Sequence, residues 1–359
     1  MSQAFACALD AWLAAQCGAR HSEELPACLA RAQFQALSQT LTFVRNHSRY
    51  YARTLSQIPA MRSLVDLAKL PLTPQSAIKE WQSFLTCPLD AIERMVTLTT
   101  SGTTGPPKRL AFSRNDLART RDFFAHGMRF LVAPGMSVCV LLPGASRPNG
   151  VSDLLSTALS VQNICVHACP EELLSASQAP RLASWLQKLA PDVLVAMPAY
   201  LKRLWERDCQ LPSLTGLLSS AEPLDDALRE ALSHFWHCEI LDHYGMTETG
   251  YGLAVECPAH DGLHLRALDV LVEIVDGKGD IVPIGEEGEI VVTTLAREAM
   301  PLIRYRTGDM GRLLAGPCAC QSPLKRLARV RGRIKETNGT RVPVRMTKGG
   351  GWPKTSSPA

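Results

Sequence analysis

The sequence predicts an α/β fold followed by a smaller β-rich part, on three observations. Between about residues 95 and 255, short apolar runs alternate with helical stretches. The residues before that carry helical periodicity. After about residue 263 the pattern turns to short strands separated by tight turns. Strands alternating with helices form a mainly parallel sheet covered by helices on both faces.

In chain order, residues 1–85 read as helical. Ala30, Phe34, Leu37, Leu41 and Val44 recur at spacings of three and four, which is one helix face, and the run from Asn46 to Tyr51 breaks it. Met95–Thr99, Ser137–Leu142, Asn163–His167, Val193–Met197, Leu214–Ser219 and Glu239–Asp242 are expected strands. Ala179–Lys188 and Asp225–Phe235 are helices between them. His264–Ala267, Leu271–Val275, Gly288–Thr294 and Leu302–Arg306 are short strands, bounded by Asp-Gly and Gly-Glu turns, of a small antiparallel or barrel-like subdomain. The expected divisions are 1–90, a helical segment; 91–262, an α/β core; 263–330, the β subdomain; and 331–359, a hinge remnant and tail. The tail, Gly, Pro and Ser rich from Thr347 on, reads as disordered.

Composition narrows the function. The 359 residues are 46% hydrophobic and 20% charged, enough to bury a core without staples. A net charge of +4 without a basic stripe argues against nucleic acid as a partner. No uncharged apolar run reaches the ~18 residues of a membrane span, and Phe130–Ala145 is broken by Pro134, Gly135, Pro143 and Gly144. Met1–Leu13 is interrupted by Asp10 and lacks a basic start, so no secretory signal is expected. Twelve scattered cysteines then read as free thiols, and the expected location is the cytoplasm.

Three segments carry chemistry. Thr99–Lys108, Thr-Thr-Ser-Gly-Thr-Thr-Gly-Pro-Pro-Lys, follows a strand and offers glycine backbone, hydroxyls and a cation to phosphate oxygens. Its spacing is not that of a Walker loop, and a flexible surface turn is the plainer alternative. Leu241–Gly250, Leu-Asp-His-Tyr-Gly-Met-Thr-Glu-Thr-Gly, sits at a C-terminal strand edge, where ligands of open α/β sheets bind. Tyr244 offers a flat face to a base and Glu248 a hard carboxylate suited to Mg²⁺; a helix cap is the alternative. Arg304–Asp309, Arg-Tyr-Arg-Thr-Gly-Asp, puts a carboxylate on a tight turn, able to take two ribose hydroxyls or to make an Asx turn.

With Ser219–Pro223 between the first two, these segments together resemble the adenylate-forming superfamily of acyl- and aryl-CoA synthetases, luciferases and adenylation domains. The run Thr293–Asp309, Ala221-Glu222-Pro223 and Asn46–Tyr51 are similar to its phenylacetate–CoA ligase-like branch, and the resemblance covers about residues 30–335. It implies a large adenylate-forming N-terminal domain. Ser101, Gly102, Thr103, Thr104, Gly105 and Lys108 would hold the β- and γ-phosphates of ATP. Ala221, Glu222 and Pro223 would line the adenine, with His243, Tyr244, Gly245 and Met246 beside it. Thr247 would approach the α-phosphate, Glu248 would bind Mg²⁺, and Asp309, helped by Arg333, would bind the ribose. The reaction implied is formation of an acyl-adenylate from a carboxylic acid, aromatic or otherwise hydrophobic, followed by transfer to coenzyme A or an acyl carrier. His126, His167 and His243 are candidates for the acyl pocket. A homodimer is among the expected assemblies.

Cys257, His264, Cys318 and Cys320 form a second constellation. Two thiolates one residue apart, a third thiolate and an imidazole suit tetrahedral Zn²⁺, with His260 a competing ligand. Three unrelated buried thiols and a surface histidine are the alternative; the resemblance implies that some branch members carry a structural zinc here. The resemblance also implies a rotating C-terminal domain, bearing a lysine, beyond the Arg331-Gly-Arg333 hinge. The expectation is that this chain lacks most of that domain, because 26 residues follow Arg333 and Lys335 lies too near the hinge to replace the lysine. A non-catalytic nucleotide or acyl binder, and an adenylating enzyme with another acceptor, therefore stay open.

Overall fold

The computed structural model describes residues 5–58, 60–98, 107–337 and 340–345. The N-terminal part is helical: α1 (Ala8–Cys17), α2 (Leu25–His47), α3 (Arg49–Thr54) and α4 (Trp81–Phe84). Helix α2 buries Leu25, Cys28, Leu29, Leu37, Thr40, Leu41 and Val44. Leu37, Leu41 and Val44 stand on the expected face; Ala30 is exposed and Phe34 half-buried, because the face continues back through Leu29 and Cys28. The break after Asn46 is a cap. Ser48 Oγ accepts from Tyr51 N at 3.4 Å and donates to Ser83 O at 2.9 Å, and Tyr51 OH accepts from Ile303 N at 2.8 Å.

Strands β1 (Arg94–Leu98) and β2 (Lys108–Phe112) form an antiparallel pair in which Leu98 faces Lys108. Helix α5 (Arg114–Gly127) follows, then β3 (Ser137–Leu141), α6 (Val151–Leu159), β4 (Cys165–Ala168), α7 (Ala179–Leu189), β5 (Val193–Ala196), α8 (Pro198–Trp205), β6 (Gly216–Ser219), α9 (Asp226–Trp236) and β7 (Glu239–Tyr244). The remaining strands are β8 (Ala254–Glu256), β9 (Leu263–Leu265), β10 (Val270–Val275), β11 (Gly288–Thr294), β12 (Tyr305–Gly311), β13 (Leu313–Leu314), β14 (Arg326–Leu327), β15 (Gly332–Thr337) and β16 (Thr340–Arg345).

The large sheet has nine strands in the order β13-β14-β9-β8-β7-β6-β5-β3-β4. From β4 to β7 every pairing is parallel, and from β7 to β13 every pairing is antiparallel. Successive side chains of its central strands go to opposite cores, as a pleated strand requires. Val138, Val140, Val193 and Val195 pack with Phe123, Phe124, Leu154 and Leu155 of α5 and α6. Cys139, Leu141, Leu194 and Ala196 pack with Leu182, Leu186, Leu201, Leu204 and Leu232 of α7, α8 and α9.

The second sheet, β10-β11-β12-β15-β16, is antiparallel throughout. The segment 263–330 is therefore shared between two sheets, since β9, β13 and β14 extend the large one. Two expectations shift. The strand expected at Leu302–Arg306 runs from Tyr305 to Gly311, because Arg304 takes a left-handed φ of +45° and turns the chain before it. Residues 332–337 and 340–345, expected as hinge and tail, form strands; the tail from residue 346 on lies outside the described residues. Among the described residues no helix is long and apolar enough to cross a membrane.

Arg304, 2% exposed, braces the N-terminal segment against the second sheet. Its Nε donates to Glu273 at 3.1 Å, and one terminal nitrogen donates to Ala68 O at 2.9 Å and Leu70 O at 2.6 Å. Arg304→Leu should lower unfolding stability by ~3–5 kcal/mol, since it strands a buried Glu273 carboxylate and two carbonyls. Urea unfolding checks this; a midpoint within error of the parent would refute the brace.

Candidate functional site

The site lies at the C-terminal edge of the parallel strands, where the loops after β3, β6 and β7 converge. Ala221, Glu222 and Pro223 leave β6, and His243 and Tyr244 end β7. They line one cavity with Gly245, Met246, Asp309 and Arg333. Its far wall is closed by a chain of bonds: Tyr244 OH donates to Asp309 Oδ2 at 2.9 Å, and Arg333 Nε donates to Asp309 Oδ1 at 3.0 Å. Burial pushes the Asp309 carboxyl up, and Arg333 and Tyr244 oppose that. Burial likewise pushes the Tyr244 phenol well above its usual range. Two backbone positions are specialised. A Cβ at Gly245 would meet Tyr251 O at 2.3 Å, and Ala221 holds a φ of +70°, which an L residue adopts only where its surroundings enforce it.

This cavity opens into a second one, lined by Lys108, Gly144, Thr247, Glu248, Thr307 and Gly308 and sharing Ala221, Gly245, Met246 and Arg333 with the first. Lys108 opens β2 directly after the Gly-rich loop. Burial lowers its pKa, and the nearby Glu248 charge opposes the shift. Glu248 sits on the one-turn 3-10 helix Thr247–Thr249, where Tyr305 OH donates to its Oε1 at 3.0 Å and Arg297 binds its carbonyl. Ser101, Gly102, Thr103, Thr104 and Gly105, expected as phosphate ligands, lie outside the described residues.

A third chamber is apolar. Phe123, Phe124, Met128, Leu155, Val195 and Val255 are among its walls, and none of the described residues lining it is charged. It shares Leu142, Val151, Ser220 and Tyr251 with the second cavity and His243 with the first. The His243 ring is half-buried, with Nδ1 3.1 Å from Ser220 Oγ, and desolvation lowers its pKa to about 4. Of the three histidines expected near an acyl group, His243 is at this wall. His126 instead stacks on Trp12 at 5.1 Å, and His167 lies on β4, the edge strand of the large sheet.

Cys257, His264, Cys318 and Cys320 converge: one ligand atom from each lies within 4.8 Å of all the others. Cys257 Sγ is 3.8 Å from Cys318 Sγ, and Cys320 Sγ is 3.6 Å from His264 Nε2. His264 is 1% exposed, not a surface histidine. His260 is drawn elsewhere, its Nε2 2.9 Å from Glu239 and its Nδ1 3.0 Å from Arg229.

Sequence reasoning missed Asp242 and Gln75. Asp242 lines the first cavity and accepts from Arg329 Nε at 3.0 Å, and burial outweighs that arginine to raise its pKa to about 6. Asp242 was legible as the residue two before Tyr244. Gln75, whose side chain bonds Thr307 O, gave no local signal, because it arrives from the helical N-terminal part.

The His243 shift makes a prediction. With a folded pKa of about 4 against 6.5 unfolded, the folded state binds fewer protons between those values. The neutral ring therefore contributes stability that is fully present above 6.5 and is lost as pH falls through about 4. Relative to His243→Gln, the parent should lose ~3 kcal/mol of unfolding stability between about pH 7 and about pH 4. Parallel stability–pH curves in chemical denaturation would refute the neutral assignment.

Comparison with known proteins identifies the family. The AMP-binding enzyme family matches residues 24–296. The chain is 30% identical over 290 residues to phenylacetate-coenzyme A ligase of Aromatoleum evansii, covering 76% of this chain and 62% of that protein. It is 28% identical over 327 residues to phenylacetate-coenzyme A ligase of Escherichia coli (strain K12), covering 85% of this chain and 71% of the relative. A crystal structure of 2-hydroxyisobutyryl-CoA ligase in an open conformation, in complex with 2-HIB-AMP and CoA, superposes with a TM-score of 0.75 at 20% identity. It covers 88% of this chain and 78% of that one and shares its fold. This chain belongs to the AMP-binding enzyme family.

Proposed function

We propose that this chain activates a carboxylic acid with ATP, giving an acyl-adenylate and pyrophosphate, and passes the acyl group to coenzyme A. The observation that carries the reading is the continuity of three chambers. One is closed by Tyr244, Asp309 and Arg333, one holds Lys108 and Glu248, and one is apolar and uncharged.

In this reading the adenine lies between Ala221-Glu222-Pro223 and Tyr244, and the ribose hydroxyls bind Asp309 with Arg333 alongside. Thr247 meets the α-phosphate, and Lys108 meets the β- and γ-phosphates together with the loop Ser101–Gly105. A substrate carboxylate oxygen attacks the α-phosphorus, and the bond from that phosphorus to the bridging oxygen breaks. The electron pair leaves with pyrophosphate. No general base is required, because a carboxylate is ionised at neutral pH. The difficulty is the meeting of two anions, which fixed cations and dipoles relieve most effectively out of bulk water. Glu248 fits Mg²⁺: it is a hard carboxylate in the same cavity as Lys108, with one oxygen held by Tyr305. Mg²⁺, when bound, would neutralise phosphate charge there.

The uncharged walls of the third chamber favour an aromatic or otherwise apolar acid. The relatives named as phenylacetate-coenzyme A ligases support this choice and the choice of coenzyme A as acceptor. None of the twelve cysteines is joined in a disulfide, which suits a reducing cytoplasm where ATP is available.

The four-ligand cluster is read as a structural Zn²⁺ centre. With Zn–S near ~2.3 Å and Zn–N near ~2.0–2.1 Å, a tetrahedron has S···S edges of ~3.8 Å and S···N edges of ~3.6 Å. The measured separations of 3.8 and 3.6 Å fit those edges. Cys257, Cys318 and Cys320 would supply thiolates and His264 Nε2 the fourth donor, leaving no open position for chemistry.

Pyrophosphate exchange into ATP, run across a panel of acids, tests the activity. An apolar aromatic acid should support exchange, and Lys108→Ala and Glu248→Ala should each lower it by about 100-fold or more. If no acid supports exchange while ATP still raises the melting temperature, the chain is a nucleotide binder and the proposal fails. Metal analysis of protein purified without chelator should give one Zn²⁺ per chain, and chelation should lower the melting temperature. A content well below one refutes the centre.

A further inference from the structure

Helix α1 places a carboxylate where the fold gives it no cationic side chain. Asp10 is completely buried. Its Oδ1 accepts from Ser322 Oγ at 2.9 Å, while its Oδ2 is buried with no hydrogen-bond partner. None of the ion pairs among the described residues includes it. A buried carboxylate in that condition is costly unless a positive charge or a donor is supplied. His264 has the complementary deficit. Its Nε2 faces Cys320, and its Nδ1 is buried without a partner. A carboxylate oxygen of Asp10, a ring nitrogen of His264 and Cys7 Sγ all lie within 4.8 Å of one another.

We propose that Asp10 is the positioning residue for the four-ligand centre. Its carboxylate takes the His264 Nδ1–H, fixes the tautomer that leaves the Nε2 lone pair for the metal, and ties the seating of α1 to metal occupancy. The inference rests on the zinc reading above. The chemistry is general: a ligating imidazole is oriented and made more basic by a carboxylate on its other nitrogen. The placement is particular to this chain. The carboxylate comes from the first helix, the ligands come from β9 and from the segments that follow β8 and β13, and Ser322, two residues past Cys320, holds the other carboxylate oxygen. The imidazole N–H, oriented by the bound metal, would then supply the donor that the buried Oδ2 lacks.

The test uses the full chain and Zn²⁺ or Co²⁺ alone, with affinity read by competition against a chromophoric chelator. Asp10→Asn should weaken Zn²⁺ binding about 10–100-fold. Its Co²⁺ complex should keep the thiolate charge-transfer band, because all three cysteines remain. In the parent, hydrogen exchange across Ala8–Cys17 should speed up when the metal is removed. Ser322→Ala should weaken affinity in the same direction by a smaller factor. Unchanged affinity in Asp10→Asn overturns the proposal while leaving the zinc centre standing. If Asp10→Asn does not fold, the parent decides: α1 exchange that is the same with and without metal overturns it. A parent chain that takes up neither Zn²⁺ nor Co²⁺ overturns both the centre and this role.

Discussion

Asp309 links the two sheets at the wall of the first chamber. One oxygen takes the hydroxyl of Tyr244 from the end of the parallel run, and the other takes Arg333 from β15. A carboxylate this buried is costly without such partners, and each partner belongs to a different sheet. The bond to Arg333 repeats the strand pairing, since Asp309 and Arg333 face each other across β12 and β15. On the neighbouring strand β11, buried Glu289 gathers Arg306, Arg341 and the Gly308 amide, so the bulged stretch of β12 that presents Asp309 is fixed from behind as well. A Cβ at Gly308 would meet the Gln75 side chain at 2.7 Å, and its φ of +75° also demands glycine. The Thr-Gly-Asp sequence is thus a backbone requirement before it is a binding one.

Charge is distributed over the three chambers unevenly. Lys108, Glu248, Asp309 and Arg333 ring the first two, while none of the described residues lining the third is charged. His243 stands on the boundary, and burial keeps it neutral at ordinary pH, so it separates the polar and apolar spaces without adding a charge to either. An acid with a charged or strongly hydrated side chain would enter the third chamber at the cost of its hydration.

The central parallel strands β3, β5 and β6 were legible because each is buried on both faces and reads as a continuous apolar run between helical stretches. Val193–Ala196 and Gly216–Ser219 stand within the expected segments. The helix α2 face was misplaced at its start because Ala30 is apolar by type yet points to solvent, and side-chain type alone does not settle which alanine is inside. The division of residues 263–330 between two sheets left no local trace, since short antiparallel strands look alike whichever sheet they join. Motif residues of the candidate site were legible as a group, because Ala221-Glu222-Pro223, Tyr244 and Asp309 each sit in a distinctive run. Gln75 and the role of Arg304 as a brace were not, because both depend on contacts between residues more than two hundred positions apart.

The antiparallel extension of the large sheet raises a question of stability that its sequence answers. Strands β13 and β14 have two residues each, and β8 and β9 have three. Such strands bring little apolar surface and few ladder bonds, too little to hold independently. Polar links stand in for that missing core. Arg326, 2% exposed, is paired with Asp261 and reaches the carbonyls of Ala315, Gly316 and Pro317. Beside it, the Cys257, His264, Cys318 and Cys320 side chains close on one another. This matters at the site because β8 pairs with β7 at its last two residues, His243 facing Val255 and Tyr244 facing Ala254. Tyr244, bonded to Asp309, and His243, which stands between the chambers, are therefore set by strands that Arg326 and the Cys257, His264, Cys318 and Cys320 cluster hold in place.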